Sequence, residues 1–233
     1  MRVQLHGRDP GYERERDPPE HEHDRVRQVH AVRGPHEEDG GEQQREEELE
    51  LAHEAPESRI GAITALAPPL DSSDHVTGPP EAPLELVMYG DFQCPYCTAA
   101  QSIVRRVRDR LDGRLRFVFR HLPLTEVHPD AQRAAEAAEA AAAQGAFWEM
   151  HDALYANGGR LTADDLAAVA GQLGLDVERF RAELASGAHA ARVARDADAA
   201  RAGGIDATPA FFVNGVRHAE AFDAGSLVAA LER

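Results

Sequence analysis

Met88-Tyr89-Gly90-Asp91-Phe92-Gln93-Cys94-Pro95-Tyr96-Cys97 is the stretch that decides the fold of this chain, because it joins an apolar run to the only two cysteines in 233 residues. Leu84 to Tyr89 reads as a buried strand, and Gly90-Asp91-Phe92-Gln93 as the turn leading out of it. Beyond Cys94, apolar residues return at Ile103, Val104, Val107 and Leu111, the spacing of one helical face, and Asp112-Gly113 ends that helix. Leu115 to Arg120 is a second strand. A strand, helix and strand of these lengths predict a right-handed parallel crossover.

The position of the cysteines gives the stretch its chemistry. A sulfur at the start of a helix meets unpaired backbone amides, whose partial positive charge favours thiolate over thiol. A free thiol titrates near ~8.5 and such sites reach roughly 3.5 to 7.5, so a drop of about three units is worth about 4 kcal/mol. Cys97, one turn later, is placed to resolve a mixed disulfide formed at Cys94. Pro95 suits the first turn, where its missing amide is not needed. Phe92 and Tyr96 flank the cysteines and are candidates for apolar substrate contact. The motif alone leaves half a metal site or an incidental disulfide open. Two cysteines are too few for a disulfide framework, however, and a zinc ribbon needs a second ligand pair.

Working outward, the chain after His121-Leu122-Pro123-Leu124 turns helical. His128-Pro129 can open a helix, and Ala131 to Ala143 has very high helix propensity. Thr162-Ala163-Asp164-Asp165 looks like a capping box, Gly174 a stop, and Asp176 the cap of a helix ending near Gly187. A further helix is expected from about His189 to Arg201. Ala210 to Val213 is a strand, Asn214-Gly215 a two-residue hairpin turn, Val216 to Ala221 the return strand, and Asp223 to Leu231 a closing helix. The order predicts an α/β domain with an all-α insertion: sheet over 81–122, helices over 123–203, sheet again over 204–233. Thr208-Pro209 opens the late strand. A cis proline there would present the Thr208 backbone beside Cys94 for a substrate peptide to pair with as an added strand, whereas a trans proline would simply start an edge strand.

Residues 1–80 hold 9 Arg and 19 acidic residues, a net of −10 within a total of −16. With little apolar periodicity before Arg59, they cannot bury enough surface to offset chain entropy, so disorder is expected to about residue 58, with Gly78-Pro79-Pro80 as a linker. His21 and His23 in this segment lack preorganised metal geometry. The acidic balance argues against an extended nucleic-acid or anionic-membrane surface, the cluster Arg105, Arg106, Arg108 and Arg110 notwithstanding. All 25 basic residues are Arg, so no lysine can form a Schiff base or a phosphate loop. No window approaches the roughly 20 apolar residues of a membrane span, and the first thirty residues lack an export signal's apolar stretch, which predicts a cytoplasmic protein.

Three stretches together resemble the DsbA-like branch of the thioredoxin superfamily: Met88 to Cys97, Phe147-Trp148-Glu149-Met150-His151, and Thr208-Pro209-Ala210-Phe211-Phe212-Val213-Asn214-Gly215. The resemblance covers about residues 75–233. It implies a thioredoxin fold interrupted by a helical domain, with Cys94 attacking, Cys97 resolving and Pro209 in cis. Glutaredoxins can also carry Cys-Pro-Tyr-Cys, but Cys94 and Pro209 are 115 residues apart, which leaves room for an insertion that compact members lack. One position departs from the family. Where its members carry a buried acid six residues before the first cysteine, this chain has Met88, which leaves the proton route of Cys97 unassigned. Asp91 is nearer in sequence, and a turn-capping role suits it better. His121 and His128 are the candidate thiolate partner and ligand, although such residues more often cap helices or sit in polar loops.

The expected activity is thiol-disulfide exchange with protein or small-thiol substrates and a cellular redox partner. The Cys94-Cys97 disulfide carries the electrons, with no other cofactor and no metal. The competing expectation is a regulatory or binding module that senses redox state with little turnover, since similar domains occur fused to sodium/proton antiporters; a glutathione-dependent isomerase is disfavoured by the paired cysteines.

Overall fold

The computed structural model describes residues 65–220 and 222–233. The disorder expected to residue 58, and His21 and His23 with it, lie outside the described residues. In chain order the described elements are β1 (His75–Thr77), β2 (Leu84–Gly90), α1 (Pro95–Arg110), β3 (Leu115–His121), α2 (Ala131–Ala142), α3 (Phe147–Ala156), α4 (Ala163–Gln172), α5 (Val177–Ser186), α6 (Ala190–Ala202), β4 (Ala210–Val213), β5 (Val216–His218) and α7 (Ala224–Leu231).

The sheet order is β1-β3-β2-β4-β5. β2 and β3 run parallel, from Leu84 opposite Leu115 to Gly90 opposite His121, with α1 as the crossover between them. β1 lies antiparallel to β3, β4 antiparallel to β2, and β5 to β4. Leu86, Met88, Phe117, Phe119 and Phe211 belong to the larger core, together with Val104 and Val107 of α1 and Leu227 and Leu231 of α7. Val87, Tyr89, Val118 and Phe212 point the other way, against Ala197 and Ala200 of α6 and Ile205. A strand covered on both faces needs no polar alternation, which is why Leu86 to Tyr89 reads as a continuous apolar run.

The five helices between β3 and β4 form the expected insertion. α2 packs Ala134, Ala137, Ala138 and Ala141 into the core, small side chains that let neighbouring helices approach closely. Thr162 and Asp165 form the capping box of α4. Asp176 caps α5, which stops at Gly187 with φ of 65°. Asn214 and Gly215 both take positive φ, 48° and 80°, as a tight hairpin turn requires.

Local differences have local causes. α2 begins at Ala131 rather than Pro129, because His128 and Asp130 are held by partners outside the helix: the His128 ring donates to Asp91, and the Asp130 amide donates to Gln93 Oε1. The long helical stretch divides at Gly145, which has φ of 81°, before α3 starts. β5 spans three residues and stops well short of Ala221.

The domain boundary expected at residue 80 falls too late. β1 is an edge strand of the sheet, and Ala65 bridges to Val216. Arg120, almost wholly buried, binds both carboxylate oxygens of Asp74 at 2.8 and 2.9 Å and donates to the carbonyls of Pro68 and Pro69. A charge inside a strand pair needs a partner, and the segment before residue 80 supplies it. Composition could not show this, because the partner lies 46 residues away from Arg120.

Candidate active site

Gly90 ends β2 where the ring of Phe119 and the Tyr155 hydroxyl crowd the backbone; a Cβ at this position would lie 3.0 Å from Tyr155 Oη and overlap the Phe119 ring. The next residue, Asp91, is buried and organises the turn. Its Oδ1 accepts from the Gln93 amide at 2.7 Å, and its Oδ2 accepts from the Leu124 amide and the His128 ring, each at 2.9 Å. The capping role expected of Asp91 therefore extends to clasping the loop after β3. Cys94 follows as the residue that caps α1, with Pro95 in the first turn and no acidic residue there.

Both thiols are free, and neither is open to solvent: Cys94 keeps 2 % of its surface and Cys97 none. The Cys94 thiol faces the carbonyl of Thr208 at 3.5 Å, and the Asp91 amide donates to Cys97 Sγ at 3.5 Å. The Cys94 thiol is lowered to about 5, first by the hydrogen bond from Cys97, against the opposing effect of burial, and further by Thr208 and by the backbone amides of Cys97 and Tyr96. Cys97 moves the opposite way. Burial raises it, and its hydrogen bond to Cys94 raises it further, with the Asp91 amide opposing. Two thiols one helical turn apart are thus driven in opposite directions: one ionised at neutral pH, one held as a proton-bearing thiol.

The Thr208-Pro209 bond is cis. Thr208 is nearly buried and Pro209 half-buried, so 114 residues of chain return to place the Thr208 carbonyl on Cys94. Pro95 is exposed, and Tyr96 is the most exposed aromatic at the site, at 69 %. Phe92 corrects the expectation of substrate contact. It is 3 % exposed and packs in the larger core, its ring 5.2 Å from that of Phe119 and 4.9 Å from that of Tyr155. The residue sits beneath the cysteines as support, because Asp91 turns inward to bind Leu124 and His128 and the chain around it follows.

His121 and His128 do not meet the sulfurs in any described hydrogen bond. His128 is held by Asp91, and His121 Nε2 bonds Glu139 Oε1 at 2.9 Å. The same oxygen takes His75 Nε2 at 2.8 Å. His75, His121 and Glu139 offer three ligand atoms within 4.8 Å of one another. The Arg192 guanidinium, however, lies 3.6 Å from that carboxylate oxygen, and a fixed cation opposes a bound one. The carboxyl stays ionised because these histidines, bonded to it, hold it well below its ordinary range against the cost of burial. Arg105, Arg106, Arg108 and Arg110 lie on the exposed side of α1.

Sequence reasoning missed three contributors. Gln93 accepts from the Asp130 amide at 2.8 Å and ties the turn to the start of α2. Tyr155 donates its hydroxyl to the Asp91 carbonyl at 3.4 Å, and the Asp91 amide in turn donates to Cys97 Sγ. His151, one turn before it, is buried. The spacing Phe147, His151, Tyr155 puts all three on one face of α3, the signal that could have found the last two.

Comparison with known proteins agrees with this geometry. The family profile Thioredoxin_4, described as thioredoxin, matches residues 71–233. A thioredoxin-like oxidoreductase from Silicibacter pomeroyi DSS-3 superposes with a TM-score of 0.63 at 29% identity, over 70% of this chain and 92% of its own. BdbD from Bacillus subtilis gives a TM-score of 0.65 at 23% identity, over 74% of this chain and 99% of its own, a likeness of fold. Among curated relatives, a protein named Na(+)/H(+) antiporter NhaA 1 from Salinispora arenicola is 50% identical over 171 residues, 73% of this chain. The chain spans only 26% of that relative's length. Between the family profile, the fold and the paired cysteines at the head of α1, the chain belongs to the thioredoxin family.

Proposed function

We propose that this chain catalyses thiol-disulfide exchange on protein or small-thiol substrates, with Cys94 as nucleophile and Cys97 as resolving thiol. The observation that carries the proposal is the opposed ionisation of the two cysteines, Cys94 lowered to about 5 and Cys97 raised. The Cys94 thiolate attacks a substrate disulfide and expels one substrate sulfur as a thiolate. Cys97 then attacks Cys94 of the mixed disulfide, gives up its proton and releases the second sulfur, leaving the Cys94-Cys97 disulfide as the electron carrier. Ionisation of Cys94 also removes the donor from the Thr208 carbonyl. That acceptor then serves a backbone amide of the substrate, laid as an added strand across Thr208-Pro209 with Tyr96 and Pro95 as the exposed rim. The net direction, oxidation or reduction, follows the redox partner and compartment that supply the electrons.

An insulin-reduction assay with dithiothreitol tests the proposal: the wild-type chain should accelerate precipitation of the reduced B chain, and Cys94→Ser should not. A wild-type rate equal to that of dithiothreitol alone would sink it. The antiporter name of the 50% identical relative favours a second reading, a redox-responsive module with little turnover. Its signature in the same assay is no acceleration, together with a Cys94-Cys97 couple that still oxidises and reduces reversibly. No helix among the described residues is long and apolar enough to cross a membrane.

A further inference from the structure

Resolution by Cys97 requires its proton to leave a fully buried site, and the position where the family places an acid holds Met88, which carries none. Asp91 is committed already: its two oxygens take three donors, from Gln93, Leu124 and His128. Two buried histidines have an unpartnered ring nitrogen among the described residues, His121 Nδ1 and His151 Nε2. They differ in where they sit. His151 shares the wall of a cleft of about 260 Å³ with Tyr155, Thr98 and Gln101, between α1 and α3, and His121 does not line it. The other ring nitrogen of His151 bonds Asp152 Oδ1 at 2.8 Å. A carboxylate can only accept, so that nitrogen carries the hydrogen and Nε2 is left as a bare lone pair.

Tyr155 shares a helix face with this base and the Asp91 backbone with the sulfur. Its hydroxyl donates to the Asp91 carbonyl at 3.4 Å, and the amide of the same Asp91 donates to Cys97 Sγ at 3.5 Å. Its ring lies 5.1 Å from that of His151, one turn earlier on the same face of α3. Burial keeps its phenol protonated, as a group must be to pass a proton on.

We infer that Tyr155 and His151 form the proton route of Cys97, replacing the acid missing at Met88. When Cys97 Sγ attacks Cys94 Sγ, the bond between Cys94 and the substrate sulfur breaks and the substrate leaves with the electron pair as a thiolate. The Cys97 proton passes to Tyr155 Oη as the phenol proton moves, through water admitted by the cleft, to His151 Nε2. The imidazolium so formed is balanced by Asp152, which is exposed and returns the proton to solvent. Reduction of the Cys94-Cys97 disulfide runs the same path backwards. The groups facing the relay are Cys94 and Asp91 at Tyr155, and Asp152, His121 and Arg108 at His151. Burial first, with smaller contributions from His121 and Arg108, lowers His151 against the opposing pull of Asp152, so it is a neutral base at physiological pH.

The inference rests on the exchange reading and is tested separately from it. The reduced full chain is mixed with an aromatic disulfide whose thiolate product is coloured. The first equivalent of colour reports attack by Cys94, and the second reports resolution by Cys97. Tyr155→Phe should slow the second phase about a hundredfold or more relative to the first, within the usual range for a lost acid-base group. His151→Gln should abolish the inflection that His151 imposes on the second phase as pH falls. A second phase in Tyr155→Phe as fast as in wild type overturns the route. Equal slowing of both phases, accompanied by a lower melting temperature, overturns it too, as a packing effect. If the wild-type chain releases no colour at all, the exchange reading itself has failed.

Discussion

Cys94 and Cys97 have the same chemistry and nearly the same sequence context, so what separates them is three-dimensional. The Cys94 thiolate is favoured by the Cys97 thiol first, then by the Thr208 side chain and two backbone amides. Cys97 sits deeper, where burial outweighs the single amide of Asp91. Because the Cys97 hydrogen bond is the largest cause of the low Cys94 value, Cys97→Ala should raise the Cys94 midpoint from about 5 toward its ordinary value near 9. Titration of thiolate absorbance in that variant checks it, and an unchanged midpoint would assign the effect to the helix terminus instead. The sign for stability follows from the same shift. A depressed value means that the Cys94 thiolate favours the reduced fold fully above about pH 9 and that this contribution is lost as pH falls through about 5. The motif made the nucleophile legible in the sequence; the reason for its ionisation was only partly legible, since Thr208 lies 114 residues away.

At the scale of elements, periodicity was a good guide wherever a helix or strand has one buried face or a cap written into its own residues. The capping box of α4, the Gly187 stop of α5 and the Asn214-Gly215 turn are all local, and all could be read. The turn between β2 and α1 is a different case. Phe92 reads as a surface aromatic beside an active site, yet in the structure it packs on Phe119 and Tyr155, partners that belong to β3 and α3 and cannot be counted from the motif. Phe92→Ala should therefore lower stability by about 3–5 kcal/mol, the usual cost of emptying a large aromatic site. Phe92→Leu should restore most of that while leaving substrate preference alone. Denaturant melts paired with exchange rates on a peptide and on a small disulfide test this. A variant of normal stability that loses only the peptide rate would return Phe92 to the substrate surface.

Over the whole molecule, the boundary of the folded unit was the least legible feature. Composition changes near residue 58 and again at the prolines before Leu84, but the sheet recruits β1, Val216 bridges to Ala65, and Arg120 holds Asp74 and the carbonyls of Pro68 and Pro69. Arg120 and Asp74 are both buried, with side-chain exposures of 2% and 0%, so removing one partner leaves a bare charge in the interior. Asp74→Ala should cost about 3–5 kcal/mol, read from denaturant midpoints. A chain starting at residue 59 keeps every group that Arg120 binds and should melt as the full chain does, whereas one starting at residue 75 should melt at a markedly lower temperature. Equal melts for the two truncations would show that the Arg120 clasp contributes nothing.

Thiolate absorbance of the reduced chain, followed against pH in the wild type and in Cys94→Ser, shows whether Cys94, and Cys94 alone, is a thiolate at neutral pH. One transition with a midpoint about 5 is expected in the wild type, absent from Cys94→Ser. A low transition that survives Cys94→Ser, or a wild-type chain whose thiols ionise only near the ordinary value, would contradict it.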